Sequence, residues 1–297
     1  MKKWLEKFET KVVVASGLIT FTVLCILFYI KGLAPFGTKS LAVMDAGIQY
    51  LDFFAYLKDV FAGKNSIAYT FGKTLGGSNI AVFSYYLTSP FNLLLVFFSK
   101  TQLNSFFSIV VILKLTLASV AFAYFGVRRF ERMKNESACV YIIMAVGYGL
   151  CQYNMSQSSN IRWLDGVYML PFLLLQVYYI VQGKKTWTLS FLVGVTILFN
   201  WYSAGIDCIF TAAWFLVEFC LMVIEKKPDI KTSIYRLLRY GFSMIFGVML
   251  SAAIFLPTIG ALKKSSRGSL HFNDLMEFFA GWRTSICNSK IYVWIGQ

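Results

Sequence analysis

The sequence predicts an all-α, polytopic integral membrane protein with about seven transmembrane helices, plus an interfacial helix and a re-entrant segment in the first outer loop. Three observations predict it. Of the 297 residues, 58% are hydrophobic and only 14% charged, against roughly 45–50% and about 25% in a soluble domain. The apolar residues fall in blocks close to the ~20 residues that cross a bilayer core. The Lys and Arg residues gather in short segments between alternate blocks, the pattern that sets membrane topology. With 5 Pro and 21 Gly, a collagen-like or proline-rich disordered chain is excluded.

In chain order the apolar blocks place spans near 12–30, 103–127, 137–153, 167–182, 186–200, 208–224 and 236–260. The first follows Lys2, Lys3, Lys7 and Lys11. Its apolar run is too long for a signal-peptide core and lacks a small-residue cleavage pattern, so it reads as a retained signal anchor with a cytoplasmic N-terminus. The block 80–98 is long enough to span but carries Pro90 and Asn92 at its centre. Counting it as a span would put Arg128, Arg129, Arg132 and Lys134 outside. Reading it as re-entrant keeps them inside, as the positive-inside rule prefers, and we adopt that reading. The chain is then one membrane domain, 1–297, in which 31–102 forms a large first extracytoplasmic loop. Lys and Arg become several times denser in the inner segments than in the outer ones. The net charge of +14 is thereby explained by orientation in the lipid bilayer, and no nucleic-acid partner is needed.

Other chemistries find little support. Cys25, Cys139, Cys151, Cys208, Cys220 and Cys287 show no CxxC spacing, so neither a disulfide framework nor a zinc site is indicated. His271 is the single histidine, which excludes a multi-histidine metal centre. Gly72-Lys73-Thr74 lacks the earlier glycine of a phosphate loop, position 67 being Ile. No internal repeat or pair of matched broken helices points to an inverted-repeat transporter.

The informative stretch is 44–61, MDAGIQYLDFFAYLKDVF. Helical spacing puts Asp45, Gln49, Asp52, Tyr56 and Asp59 on one face of an otherwise apolar helix. Such a helix lies in the membrane interface. The acidic stripe has two readings: a solvated face, or an acid/base or cation-binding carboxylate at an outward cavity. Asp45, at the helix start, is the leading candidate and could also serve as the N-cap. Three carboxylates on one helix are oxygen donors of the kind a divalent cation takes, which leaves a bound cation as an alternative.

Further outer loops supply candidate partners. SNIRWLDG brings Arg162, Trp163 and Asp165 to the start of the fourth span, Trp201, Tyr202 and Asp207 stand between the fifth and sixth, and Lys263, Lys264 and Arg267 follow the seventh. Basic side chains suit a lipid phosphate and aromatic ones a sugar face, although Trp and Tyr at these depths are also ordinary interface anchors. Lys114 and Glu218 lie within spans at different depths, so a direct pair between them is not expected.

The run SLAVMDAGIQYLDFFAYLKDVFAGKNSIAYTFGKTLGGSNIAVFSYYLTSPFNLLLVFF (40–98), with RWLDG at 162–166, resembles the N-terminal part of the bacterial YfhO family of membrane proteins. That family is similar in turn to the glycosyltransferase-C superfamily. The resemblance implies a catalytic carboxylate at Asp45, with Asp52 as the next candidate. It also implies a polyprenyl-phosphate-linked sugar as donor and a cell-envelope glycopolymer such as lipoteichoic acid as acceptor. Around these, the residues themselves nominate Gln49, Tyr56, Arg162, Trp163, Asp165, Lys263, Lys264 and Arg267 as substrate contacts. Family members continue beyond the equivalent of Gln297, so the chain is expected to be the N-terminal portion of a longer protein in a bacterial cytoplasmic membrane. A transporter or flippase of a lipid-linked sugar, using Lys114 and Glu218, and a non-catalytic membrane fragment are the competing expectations.

Overall fold

The computed structural model describes residues 2–72, 76–130, 137–184 and 187–263. Among them the fold is helical except for one two-residue hairpin, β1 (Tyr69–Thr70) with β2 (Gly77–Ser78). The helices of 18 residues or more are α1 (Lys2–Lys31), α4 (Leu103–Arg129), α7 (Leu164–Val181), α9 (Trp201–Lys226) and α10 (Ile230–Leu250). Shorter ones are α2 (Leu51–Phe61), α3 (Ile80–Val82), α5 (Ala138–Gly149), α6 (Gln152–Ser156), α8 (Thr188–Phe199) and α11 (Ala252–Lys263).

Helix α4 is the hub, with α1, α5 and α7 packed along it and α9 reached through α7. It suits that position because it is apolar on all sides, burying Phe106, Val110, Val111, Leu115, Ala118 and Ala121 among others; a helix hydrophobic all round belongs inside. The 3-10 turn that leads into it, Lys100–Gln102, is fixed by a capping box, in which the Ser99 N–H donates to Gln102 Oε1 at 3.0 Å. Where neighbouring helices come closest the sequence supplies small residues. A Cβ at Gly247 of α10 would lie 2.5 Å from the Val193 side chain of α8, so that crossing requires glycine.

Five helical stretches are long and apolar enough to cross a membrane: Phe8–Lys31, Lys100–Arg129, Ala138–Ser156, Leu164–Val181 and Trp201–Lys226. Two bent helix pairs raise the total to as many as seven. The block 80–98 is one of these, Ile80–Leu87 meeting Pro90–Phe97 at 87°. Pro90 sits at the first position of the second arm, where its missing N–H costs nothing.

Two predicted spans differ in form. The expected 186–200 span is the 12-residue α8, about 18 Å long and short of the ~30 Å bilayer core. The expected straight span 236–260 is broken, its arms Ile230–Leu250 and Ala252–Ala261 meeting at 72°. At the break the Ser251 hydroxyl donates to the Val248 carbonyl at 2.8 Å, satisfying an acceptor that a continuous helix would have used. The second arm instead reaches the other bent segment, where Thr258 Oγ1 donates to Ser84 Oγ at 2.8 Å in a buried contact.

Candidate functional site

One end of the bundle gathers the stretch 44–61, the bent segment 80–97, the turn before α7 and the start of α9. Asn200 ties these together: its Oδ1 accepts from the Ser203 N–H at 2.8 Å, capping α9, while its Nδ2 donates to the Tyr85 carbonyl at 3.0 Å. Thr88 Oγ1 donates to the Phe199 carbonyl at 3.0 Å beside it. The tyrosines of the bent segment are thus held against the aromatic residues that open α9, with Tyr85 and Trp201 ring centroids 5.4 Å apart.

Arg162 occupies the centre of this assembly. Its guanidinium carbon lies 4.4 Å from the Tyr85 ring centroid, 4.8 Å from those of Tyr50 and Tyr86 and 5.6 Å from that of Trp163. The residue is 9% exposed. Its Nε and Nη1 are buried without a hydrogen-bond partner, and among the described residues no carboxylate forms a salt bridge with it. The ring faces attract the cation, each by about 0.5–2 kcal/mol, but supply few acceptors for its N–H groups. Tyr50 OH is directed to Asn160 Oδ1 at 3.2 Å and Tyr86 OH to Gln49 Oε1 at 3.4 Å. Burial pushes the Tyr50 phenol above its ordinary pKa; Arg162 opposes that shift, and Tyr86 and Asp45 add to it. Tyr50 therefore stays neutral, and Arg162 gains no phenolate counter-ion. The arrangement is a desolvated cation one anion short.

Asp45 stands at the mouth of this region. It is exposed and precedes a π-helical turn, Ala46–Tyr50. Met44 before it adopts a left-handed φ of 52°, a conformation that costs a residue with a Cβ roughly 1–2 kcal/mol. The Asp45 carboxylate makes no capping hydrogen bond, so the N-cap role that its position suggests is not taken and the group is free for other work. The apolar face of the helix, Ala46, Tyr50, Phe54 and Leu57, is buried. Asp52 is exposed. Tyr56 donates to the Ser66 carbonyl at 2.6 Å, and Asp59 pairs with Lys100 at 2.7 Å. Among the described residues no three acidic, His or Cys side chains form a group that could hold a metal; the stripe does not converge.

The sequence model of the family described as bacterial membrane protein YfhO matches residues 16–287. The chain belongs to the YfhO family. Among curated proteins and solved structures no match is found. As a YfhO-family chain with five to seven candidate spans, it is a multi-pass membrane protein.

The remaining nominated residues of this YfhO-family chain divide. Trp163 lies against Arg162 and stacks on Tyr202, ring centroids 6.0 Å apart and planes 24° from parallel. Asp165 is 1% exposed and turned into the bundle. It accepts from Lys114 Nζ at 2.7 Å, and from Ser89 Oγ and Tyr168 OH at 2.8 Å each. Lys114 also donates to the Ile161 carbonyl at 3.0 Å. This satisfied pair joins α4 to α7 and holds the turn that carries Arg162. Lys263 ends α11, its side chain beyond the described detail, and Lys264 and Arg267 lie outside the described residues. Sequence reasoning did not single out Tyr50, Tyr85 or Tyr86 as site residues. The available signal was their aromatic clustering in QY and SYY, each beside a turn.

Proposed function

We propose that this chain carries the donor-binding end of a membrane glycosyltransferase. The enzyme moves a sugar from a polyprenyl-phosphate donor to a cell-envelope glycopolymer such as lipoteichoic acid, at the outer face of a bacterial cytoplasmic membrane with the N-terminus inside. The observation that carries the reading is Arg162, a buried guanidinium ringed by four aromatic side chains, with no carboxylate partner among the described residues and with the Asp45 carboxylate at the start of the loop helix that carries Tyr50.

In this reading Asp45 removes the proton from the acceptor hydroxyl as its oxygen attacks the anomeric carbon. The bond from that carbon to the phosphate oxygen breaks, and its electron pair leaves with the lipid phosphate, whose charge Arg162 neutralises. Asp52 is the second candidate base, one helical segment further on. Lys263, Lys264 and Arg267 would add basic groups for the phosphate. Gln49 and Trp163 line the approach, Tyr56 supports the loop through Ser66, and Asp165 acts through Lys114 by positioning Arg162. A single in-line displacement inverts the anomeric centre.

The transport reading loses its motivation, because Lys114 is satisfied by Asp165 and Glu218 by Arg129. The test is sugar transfer in proteoliposomes by the full-length protein. Asp45→Asn should lower turnover by about 10²- to 10⁴-fold while leaving folding intact, since the side chain is exposed and makes no cap bond. Unchanged transfer would refute Asp45 as base. Movement of the lipid-linked sugar across the bilayer without transfer would refute the enzyme reading altogether.

A further inference from the structure

Beside the Arg162 region, and sharing the Trp163 ring with it, a cavity of about 370 Å³ opens between α5, α6, α7 and the start of α9. Its walls include Tyr148, Asn154, Trp163, Tyr202 and Asp207. Asp207 is 6% exposed, its Oδ2 is buried without a hydrogen-bond partner, and among the described residues no cation pairs with it. It sits about six residues, or roughly 9 Å, into α9. Gly166 of α7 lets the two helices close on it: a Cβ there would lie 2.8 Å from the Ser203 Cβ and 3.1 Å from Asp207 Oδ2. Asn154 contributes a second unmet acceptor. Its Nδ2 is committed to the Tyr148 and Gly149 carbonyls, at 2.8 and 3.2 Å, and its buried Oδ1 has no partner.

The chemistry of these unmet groups selects a ligand. Two acceptors without donors, one of them a carboxyl group, and one donor without an acceptor, Trp163 Nε1, border a space walled by aromatic rings, with no basic side chain among the described lining residues. A phosphate or carboxylate would find no basic partner among the described lining residues. A neutral hydroxyl could donate a hydrogen bond but brings no charge to complement an ionised carboxylate. A quaternary ammonium would suit the rings but has no N–H for Asn154. A primary ammonium answers both acceptors, with positive charge for Asp207, N–H donors for Oδ2 and Asn154 Oδ1, and affinity for ring faces; a ligand hydroxyl beside it would accept from Trp163 Nε1.

We propose that the Asp207 cavity is a binding site for a primary ammonium group on a small polar ligand, either an amino sugar or an aminoalkyl headgroup. At about 370 Å³ the cavity falls at the small end of the roughly 300–1,000 Å³ range of ligand pockets, and it needs neither sugar transfer nor an anion at Arg162. The experiment is isothermal titration of the full chain in lipid nanodiscs with glucosamine, ethanolamine, glucose and N-acetylglucosamine. Glucosamine should bind about ten- to a hundred-fold more tightly than glucose or N-acetylglucosamine, the difference a charge-assisted hydrogen bond makes. Asp207→Asn should erase that preference and Asp59→Asn should leave it intact. Tighter glucosamine than ethanolamine identifies the amino sugar as the source, and the reverse identifies the headgroup. Tyr202→Leu, which removes one exposed ring, should weaken both amines while keeping their preference over the neutral sugars. Equal binding of glucosamine and N-acetylglucosamine, or an amine preference that survives Asp207→Asn in a monodisperse preparation, would overturn the proposal.

Discussion

The two ends of the helical bundle treat charge in opposite ways. At the end where α4 finishes, both of its terminal arginines have an acid: Arg129 Nε bonds Glu218 of α9, and Arg128 meets Glu9 of α1 with Nε at 2.7 Å from Oε2 and Nη2 at 3.0 Å from Oε1. Rings of Phe130 and Tyr178 flank Arg129 as well, so aromatic contact there accompanies an ion pair. At the other end, among the described residues, Arg162 has the rings without an acid and Asp207 a cavity without a base. Burying a charge costs several kcal/mol unless a partner offsets it. The first end is therefore built for stability, whereas the second leaves a buried guanidinium and a buried carboxyl group without ionic partners among the described residues, which a bound ligand can satisfy.

The largest effect expected from breaking this contrast lies between the ends, at Lys114 and Asp165. Lys114→Met or Asp165→Asn leaves a fully buried partner behind and should cost about 3–5 kcal/mol in thermal unfolding in detergent. Lys114→Met combined with Asp165→Leu should recover most of that loss. Singles as stable as the parent would show that the pair does not organise the turn before α7.

Glu218→Gln should cost about 2–4 kcal/mol by the same measurement, less because Arg129 is partly open to solvent. Arg162→Met tests the other end: stability should change by less than about 1 kcal/mol or rise, since no partner is stranded. Polyprenyl phosphate should bind that variant at least about tenfold more weakly, having lost a charge-assisted contact. A loss of stability as large as that of Glu218→Gln would make Arg162 structural and remove the distinction. The smallest effect belongs to Asp59→Asn, whose pair with Lys100 is substantially exposed; about 0.5 kcal/mol or less is expected.

How far the sequence could be read follows from the range of the forces involved. Membrane spans were legible because hydropathy and length are local sums, and the break at Pro90 was legible because proline acts on its own backbone. The break at Ser251 was not. Pro257 stands in the apolar run 236–260, but it lies inside α11 and past the break, and the bend is stabilised by a contact between Thr258 and Ser84, 174 positions apart. The polar stripe of 44–61 was visible in its spacing, yet the stripe proved less informative than the buried face behind it, where Tyr50 turns toward Arg162.

Composition and periodicity by themselves determined that this is an all-helical membrane protein, which segments are apolar, and where the basic clusters fall. The YfhO motifs, too, are contiguous in the chain. Only the tertiary structure decided which charges are paired. Lys114 and Asp165 are 51 positions apart and Arg129 and Glu218 are 89 apart, and no local pattern reveals such partners. The same holds for what is left unpaired. Arg162 and Asp207 look like any other charged residues near a span until packing surrounds one with rings and the other with a cavity, because desolvation and pairing depend on neighbours that the chain supplies from far away.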